Sequence, residues 1–492
     1  MEITDLTPAE ARVWDAFPRG EGVDFRESPD EPSGDGAAWG PERTVRADVL
    51  RALLLSVPPQ EDRVAGLKLY GAKIVGKLDL KYAVVDHPIR LRACWFERKP
   101  MMYGAQMRAV VLSDSTLPGL TAATLRVDVV LRLSGCTVDG PVRLAGARIT
   151  GGLFLQNAVV RRGSLPDEAD EAPLQLNHAE IATDVIADGL TVHGEFRLNG
   201  AGVGGQVMLD RARLLNPGGI ALHAETLSVG TDLRGHRLQA QGMVNLTGAR
   251  IPGQLILSRS RLSNPDGVAL RASSCVIGEF WLRKAVAPID GIVNLRRSQV
   301  DLLWAEPEVW PPVVRTDGLT YRVLHPHLPA EERLPLLERE EDGYLPYGYE
   351  QLAACYRTVG DETAARTVQL AKLRRHRSTQ PRHSRAWGAL QDGTVGYGFR
   401  PLRAAAWLLA LLLTGTVAYA LDPPRPLKPG EAPDFNPLFY TIDLLLPIID
   451  FGQEAAFAPS GWHQWLSYVL IVTGWILATT TAAGISRSLR RQ

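Results

Sequence analysis

The residues best placed for chemistry are two aspartates set in an apolar run. In Pro437-Leu-Phe-Tyr-Thr-Ile-Asp-Leu-Leu-Leu-Pro-Ile-Ile-Asp-Phe-Gly-Gln453, Asp443 and Asp450 interrupt a segment too short to cross a bilayer, which favours a re-entrant or interfacial placement. Longer apolar stretches flank it. A span, a short helix, a glycine-containing turn and a second span follow the order of a two-span pore-loop channel. On that reading Asp443 projects from the pore helix, and Asp450, Gly452 and Gln453 approach an axis shared by several subunits, where a ring of carboxylates attracts cations. A carboxylate at mid-bilayer costs about 2.5–3.5 kcal/mol, so an intramembrane aspartate is a functional candidate. If the segment lies in the outer interface instead, both aspartates are simply solvated.

A second group lies far upstream. The acidic loop Asp167, Glu168, Asp170, Glu171 and two Asn-Pro-x-Gly turns, carrying Asn216 and then Asn264 with Asp266, interrupt a repeating stretch. Aligned insertions of this kind mark a binding ridge, although Asn-Pro-x-Gly also simply turns a chain at a tolerant corner.

Several apparent motifs carry no chemistry. Thr394-Val-Gly-Tyr-Gly398 spells a potassium filter but precedes the first span, whereas a filter follows a pore helix between two spans. Gly200-Ala-Gly-Val-Gly-Gly205 is not followed by the helix of a dinucleotide-binding unit. Asp450-Phe-Gly452 lacks every other kinase element. Cys94, Cys136, Cys275 and Cys355 are scattered, with no Cys-x-x-Cys pair or histidine at metal spacing, so neither a zinc site nor a disulfide framework is indicated. No cofactor or metal is expected.

The elements that must carry these residues are read from periodicity. Val244 to Leu262 repeats the pattern of Phe196 to Leu214, 48 residues earlier. Each unit of about 11 residues reads apolar-x-Leu-x-x-Ala-x-apolar-x-Gly-x, as at Leu67, Leu69, Ala72, Ile74 and Gly76. The sixth position is small, usually Ala and once each Cys94 and Cys136. Inward positions two, three and two apart give two short strands and a corner. Two units make a four-sided coil of about 22 residues, so the expected fold is mainly β, a pentapeptide-like parallel β-helix of roughly eleven coils and about 50 Å. Its three insertions, at 161–173, 215–219 and 263–267, are expected along one edge.

The remaining segments frame this solenoid. Residues 1–63 are expected to form a helical cap, with helical spacing over Val45 to Leu55, and 64–303 the solenoid. Residues 304–400 read as a linker with a helical hairpin broken at Gly360-Asp361. Residues 401–492 read as a membrane module with spans at Ala404 to Leu421 and Trp465 to Ile485 and the intervening segment 437–453. Basic residues precede the first span (Lys372 to Arg377, Arg382, Arg385, Arg400, Arg403) and follow the second (Arg487, Arg490, Arg491). That bias places both termini in the cytoplasm and suggests anionic lipid as a partner of the juxtamembrane run.

With 492 residues, 45% hydrophobic and 22% charged, the chain is too apolar for disorder, and its net charge is zero. The solenoid stretch nevertheless carries outward arginines, including Arg143, Arg148, Arg197, Arg211, Arg213, Arg259 and Arg261, which disfavours an acidic mimic of DNA. No nucleic-acid partner is expected.

The Leu-x-Gly-Ala-x-Ile-x-Gly-x-Leu-x-Leu units, Thr394 to Arg403, Tyr440 to Gln453 and Gly474-Trp475 together resemble a group of bacterial membrane proteins. In that group a cytoplasmic pentapeptide-like β-solenoid precedes a helical linker and a C-terminal pair of spans. The resemblance implies a multi-pass protein of the cell membrane, and some members bear the label of membrane-associated oxidoreductase. The residues here contain no nucleotide fingerprint, flavin motif, paired haem histidines or redox cysteine pair. The expectation is therefore a tethered interaction or sensing scaffold, with an unidentified protein partner on the solenoid and homo-oligomerisation open. The alternatives are a solenoid-gated pore and, by family label, an oxidoreductase.

Overall fold

A Leu and a small residue three places apart, in either order, mark the corner of the coil. In the computed structural model, the residues described are 5–56, 64–163, 168, 170–284, 286–378, 401–428, 430, 432–446 and 450–489, without the side chains of 377, 401–405 and 478–489. The chain divides into two compact units, residues 1–359 and 360–492.

The first unit is a parallel β-solenoid of about 12 turns with coils of about 22 residues. Register steps such as Ile181 to Val203 and Leu174 to Phe196 show the coil length directly. Two sheets, of 18 and 16 strands, each bend to cover two sides. In chain order the first face carries Ile149, Ile181 and Val203 inward, and the second Leu153, Val185 and Val207. The third carries Val160, Val192 and Leu214, and the fourth Leu174, Phe196 and Leu222. These residues are nearly inaccessible and belong to one continuous apolar core that extends from Ala9 to Leu319.

Two corners of each coil share one device. The last residue of the turn donates its N–H to the carbonyl three places back, with Leu and a small residue in either order: Ala147 to Leu144 (3.0 Å) and Ala158 to Leu155 (3.1 Å), but Leu125 to Ala122 (3.3 Å) and Leu190 to Ala187 (3.2 Å). The residue between them has positive φ, as at Gly146 (66°), Asn157 (54°), Gly189 (67°) and Arg211 (59°). A left-handed third residue is the requirement of a type II turn. Corner after corner therefore stacks in two columns along the rod. Cys94, Cys136 and Cys275 occupy the small corner site, where burial pushes the first two thiols up to about 12 and the third to about 11.

The sheets reach further than the periodic sequence. Val23–Asp24 and Thr44–Arg46 pair with the first repeat strands, so part of the N-terminal segment is itself coil. Helix α1 (Pro8–Ala16) is fixed by a capping box of Thr7 and Glu10, and Glu10 also receives Arg46 through paired hydrogen bonds. Helix α2 (Ala47–Ser56) buries Leu50, Leu53 and Leu54, covering strand edges that would otherwise template aggregation. At the other end Val314–Arg315 and Thr320–His325 continue the ladders. Helices α3 (Ala330–Glu338) and α4 (Pro346–Thr358) follow. Arg333 of α3 is buried and donates to the carbonyls of Ala305 (2.8 Å) and Pro326 (2.7 Å), while Gln351 of α4 donates to Tyr321 (2.6 Å). The cavity beneath this cap, between Leu303, Tyr321, Leu336 and Leu352, holds about 40 Å³, room for a water or two.

The second unit is helical. After α5 (Glu362–Ser378) come α6 (Pro401–Leu421), α7 (Pro437–Leu445), the single turn α8 (Gln453–Ala456) and α9 (Trp462–Leu489). Small residues let α6, α7 and α9 approach: a Cβ on Gly415 would strike Thr441, and one on Gly474 would strike the Leu445 carbonyl. Tyr419, Tyr440, Leu444, Leu445 and Leu470 fill the centre. Among the described residues no helix is long and apolar enough to cross a membrane. The side chains at 404–405 of the first expected span and 478–485 of the second lie outside the described residues, as do Thr394-Val-Gly-Tyr-Gly398 and most of the basic run before α6.

Candidate functional site: a loop ridge on the solenoid

The three insertions arise at one corner, between the third and fourth faces. Each falls between the columns Val160–Val192–Leu214–Ala240–Leu262 and Leu174–Phe196–Leu222–Val244–Leu270, so they line one edge as their spacing predicts. The sequence builds the two shorter loops identically. Asn216 Nδ2 donates to the Ile220 carbonyl (2.8 Å) and Asn264 Nδ2 to the Val268 carbonyl (2.9 Å), each closing the loop four residues on. This is the local side chain to backbone bonding for which Asn is favoured in turns.

Each loop leans over the coil that follows, and a glycine makes room. Gly242 (φ 112°) and Gly291 (φ 122°) lie where a Cβ would strike the carbonyls of Asn216 and Asn264, and Gly194 (φ 133°) plays the same part beneath Pro173 and Arg162. The first and second loops are also stitched together, Arg162 Nη2 donating to Asn216 Oδ1 (2.8 Å). The ridge is thus prearranged by its own bonds. Asp266 is exposed at the third tip.

The acidic loop is organised differently from a free anionic surface. Glu168 is buried and paired with Lys99, with Arg143 3.6 Å away. Glu171 takes Arg143 in a two-pronged contact, 2.9 Å on each prong. Two of the four predicted acids are therefore spent in closing the loop against the coil, while Asp170 is exposed and Asp167 lies outside the described residues. Sequence alone missed these partners because Lys99 and Arg143 sit 69 and 28 residues away from the acids they meet.

Sequence reading also missed a polar ladder beside the ridge. Glu195 accepts from Arg197 (2.8 Å) and contacts His223 Nδ1 (2.7 Å), His223 Nε2 lies 3.6 Å from Glu225, and Glu225 accepts from Asn245 (2.8 Å). Burial alone would raise the Glu195 pKa, but Arg197 and His223 lower it on balance. The ladder is internally satisfied and fixes the fourth face. Its signal is a polar residue at the outward position of successive coils, Arg197, His223 and Asn245.

In the helical unit Asp443 is buried within its own fold. Its carboxylate accepts from the backbone N–H groups of Phe451 (2.7 Å), Gln453 (2.9 Å) and Glu454 (3.3 Å), so it closes the return of the chain after α7. Gln453 does the same for the chain before α7, accepting from Asn436 N (3.1 Å) and donating to the Asp434 carbonyl (3.1 Å). Asp450 is exposed and holds the Gly452 N–H (2.7 Å), with Gly452 at φ 74°. Glu454 stands near both aspartates, and burial together with their charge raises its pKa. Among the described residues no cluster of His, Cys, Asp and Glu is arranged to hold a metal ion. Compared with known proteins, the chain matches no family model, no curated protein and no solved structure.

Proposed function

We propose that this protein is a membrane-tethered scaffold whose solenoid presents the loop ridge to a protein partner. The observation that carries the reading is the ridge itself: two loops closed by the same asparagine bond, and a third tied to the first of them by Arg162. A surface fixed before contact loses little conformational freedom on binding. The tether rests on the apolar runs at 404–421 and 465–485 and the arginines flanking them.

A pore is the second reading, favoured by the exposed Asp450 beside Asp443 and the raised pKa of Glu454. Purified full-length protein in liposomes separates the two. A scaffold floats with the vesicles after alkaline extraction and conducts no more than empty liposomes under voltage. Ion flux that falls or changes selectivity in Asp450→Ala would replace the scaffold with a pore, and failure to float would remove the tether.

A further inference from the structure

The second face of the solenoid and the corner that follows it carry a pattern that neither the fold nor the ridge requires. Register places Arg132, Phe154, Ile186, Met208, Arg234, Ile256, Trp281 and Trp304 in one outward row, one residue per coil. Outward positions of a solvated sheet are ordinarily polar, yet most of this row is apolar and half-buried.

Alongside it the left-handed corner positions of successive coils are cationic. Arg211, Arg237, Arg259 and Lys284 have φ of 59°, 59°, 56° and 52°, and all four side chains are exposed. Nothing in a type II turn calls for a basic residue there, since other coils use Gly189, Asn157 or Asp114 at the same place. Arg213 and Arg261 add two exposed charges on the adjoining third face.

Nearby acids offset only part of this row. Asp210 is engaged by Arg234 (3.1 Å), Asp188 lies within the field of Arg211 and Arg234, and Glu306 accepts the Lys284 backbone N–H. Among the described residues none of Arg211, Arg213, Arg237, Arg259, Arg261 and Lys284 has a carboxylate within ion-pair distance. His236 registers the excess: burial lowers its pKa, Asp210 opposes, and Arg237, Arg259 and Arg234 lower it further.

We infer that this edge of the rod lies on an anionic lipid surface, with Ile186, Met208 and Ile256 of the outward row against the acyl boundary and the cation row against lipid phosphates. Adjoining apolar and basic rows with tryptophan among them are the composition of interfacial membrane contacts. The aromatic rings decide against a single-stranded nucleic acid, which needs free ring faces for base stacking. Here Arg132 covers Phe154 at 3.9 Å, and Arg283 covers Trp281 and Trp304 at 4.5 and 4.8 Å. The contact is separate from the proposed tether and does not depend on it.

The test reads the edge itself. All four native cysteines are buried, so an environment-sensitive dye can be placed at Ile256→Cys in the full-length chain, with Arg271→Cys on the opposite, fourth face as control. The protein is presented to bilayers of phosphatidylcholine with or without phosphatidylserine, in nanodiscs if it floats after alkaline extraction and as added vesicles if it does not. Emission at position 256 should shift to the blue with phosphatidylserine only, revert in high salt, and stay fixed at position 271. R211E/R237E/R259E should weaken the phosphatidylserine-dependent association constant read from the shift at least about 100-fold at about 1 kcal/mol per basic residue, and R211Q/R237Q/R259Q should do so less. No shift, an equal shift on neutral lipid, or a shift produced instead by a single-stranded polynucleotide overturns the inference. Flotation reports on the tether and the dye on this edge, so the two can fail separately.

Discussion

At the scale of single residues, the most informative side chains close the chain on itself. Asn216 and Asn264 each satisfy a carbonyl across a loop. A net hydrogen bond of this kind contributes about 0.5–1.5 kcal/mol. Asn216→Ala and Asn264→Ala should therefore leave the melting of the rod nearly unchanged while hydrogen exchange at 215–220 or 263–268 accelerates. Unchanged exchange would mean the loops are not held by these bonds. Glu10 makes a sharper case. Its side chain is 1% exposed, and burial alone would raise its pKa. The Arg46 guanidinium and the N–H groups of Thr7 and Arg46 overcome that and hold it at about 2 against an ordinary 4.5. A carboxyl depressed on folding stabilises above its unfolded pKa, and that contribution is lost as pH falls from about 4.5 through about 2. Glu10→Gln should flatten this acid limb in thermal melts and lower stability at neutral pH, and an unaltered limb would refute the assignment. Such partners were not legible beforehand, because Thr7-x-x-Glu10 announces a capping box while nothing in the sequence points from Glu10 to Arg46.

At the scale of elements, the corner governs. The sixth position was readable as an apolar, often small, site: Ala147, Ala158, Cys94 and Cys136 fill it, as do Leu125, Leu190, Leu227 and Leu238 in other coils, and all are buried. The left-handed residue just before it was hidden, since Tyr82, Ala93, Thr124, His178 and Arg259 all occupy it as well as glycine. Stacked backbone bonds, such as Gly146 N–H to the Asn177 carbonyl (2.8 Å), hold that conformation in place of residue preference. The other corner, between the first and second faces, is crowded by backbone. A Cβ on Gly230 would run into the Gly204 carbonyl one coil below. Gly230→Ala should cost about 1–3 kcal/mol of strain, read as a lower denaturation midpoint, whereas Gly202→Ala, on the first face with open space around it and no left-handed φ, should be mild. Equal effects at the two sites would show that backbone contact does not set this corner.

For the whole molecule, a one-dimensional repeat was legible as period, coil length and loop alignment, because each coil contacts mainly its neighbours and so writes the same pattern again. The ends were less legible. Val23–Asp24 and Thr44–Arg46 join the sheets from outside the periodic run, and Thr320–His325 extends it past residue 303, because terminal coils exchange repeat residues for capping contacts. The acidic loop was placed correctly along the rod but its charge balance was not, since Glu168 and Glu171 meet Lys99 and Arg143 only after coiling. The proposed scaffold would meet its partner through a ridge fixed by its own bonds, and the most direct measurement is site-specific photocrosslinking of the full-length protein in its native cells. A photoreactive residue at Pro217 or Asp266, on the loop tips, should give one discrete protein adduct of the same size, while one at Gln299 on the first face gives none. Adducts of equal yield from all three positions, or none from the tips, would contradict a scaffold that works through its ridge.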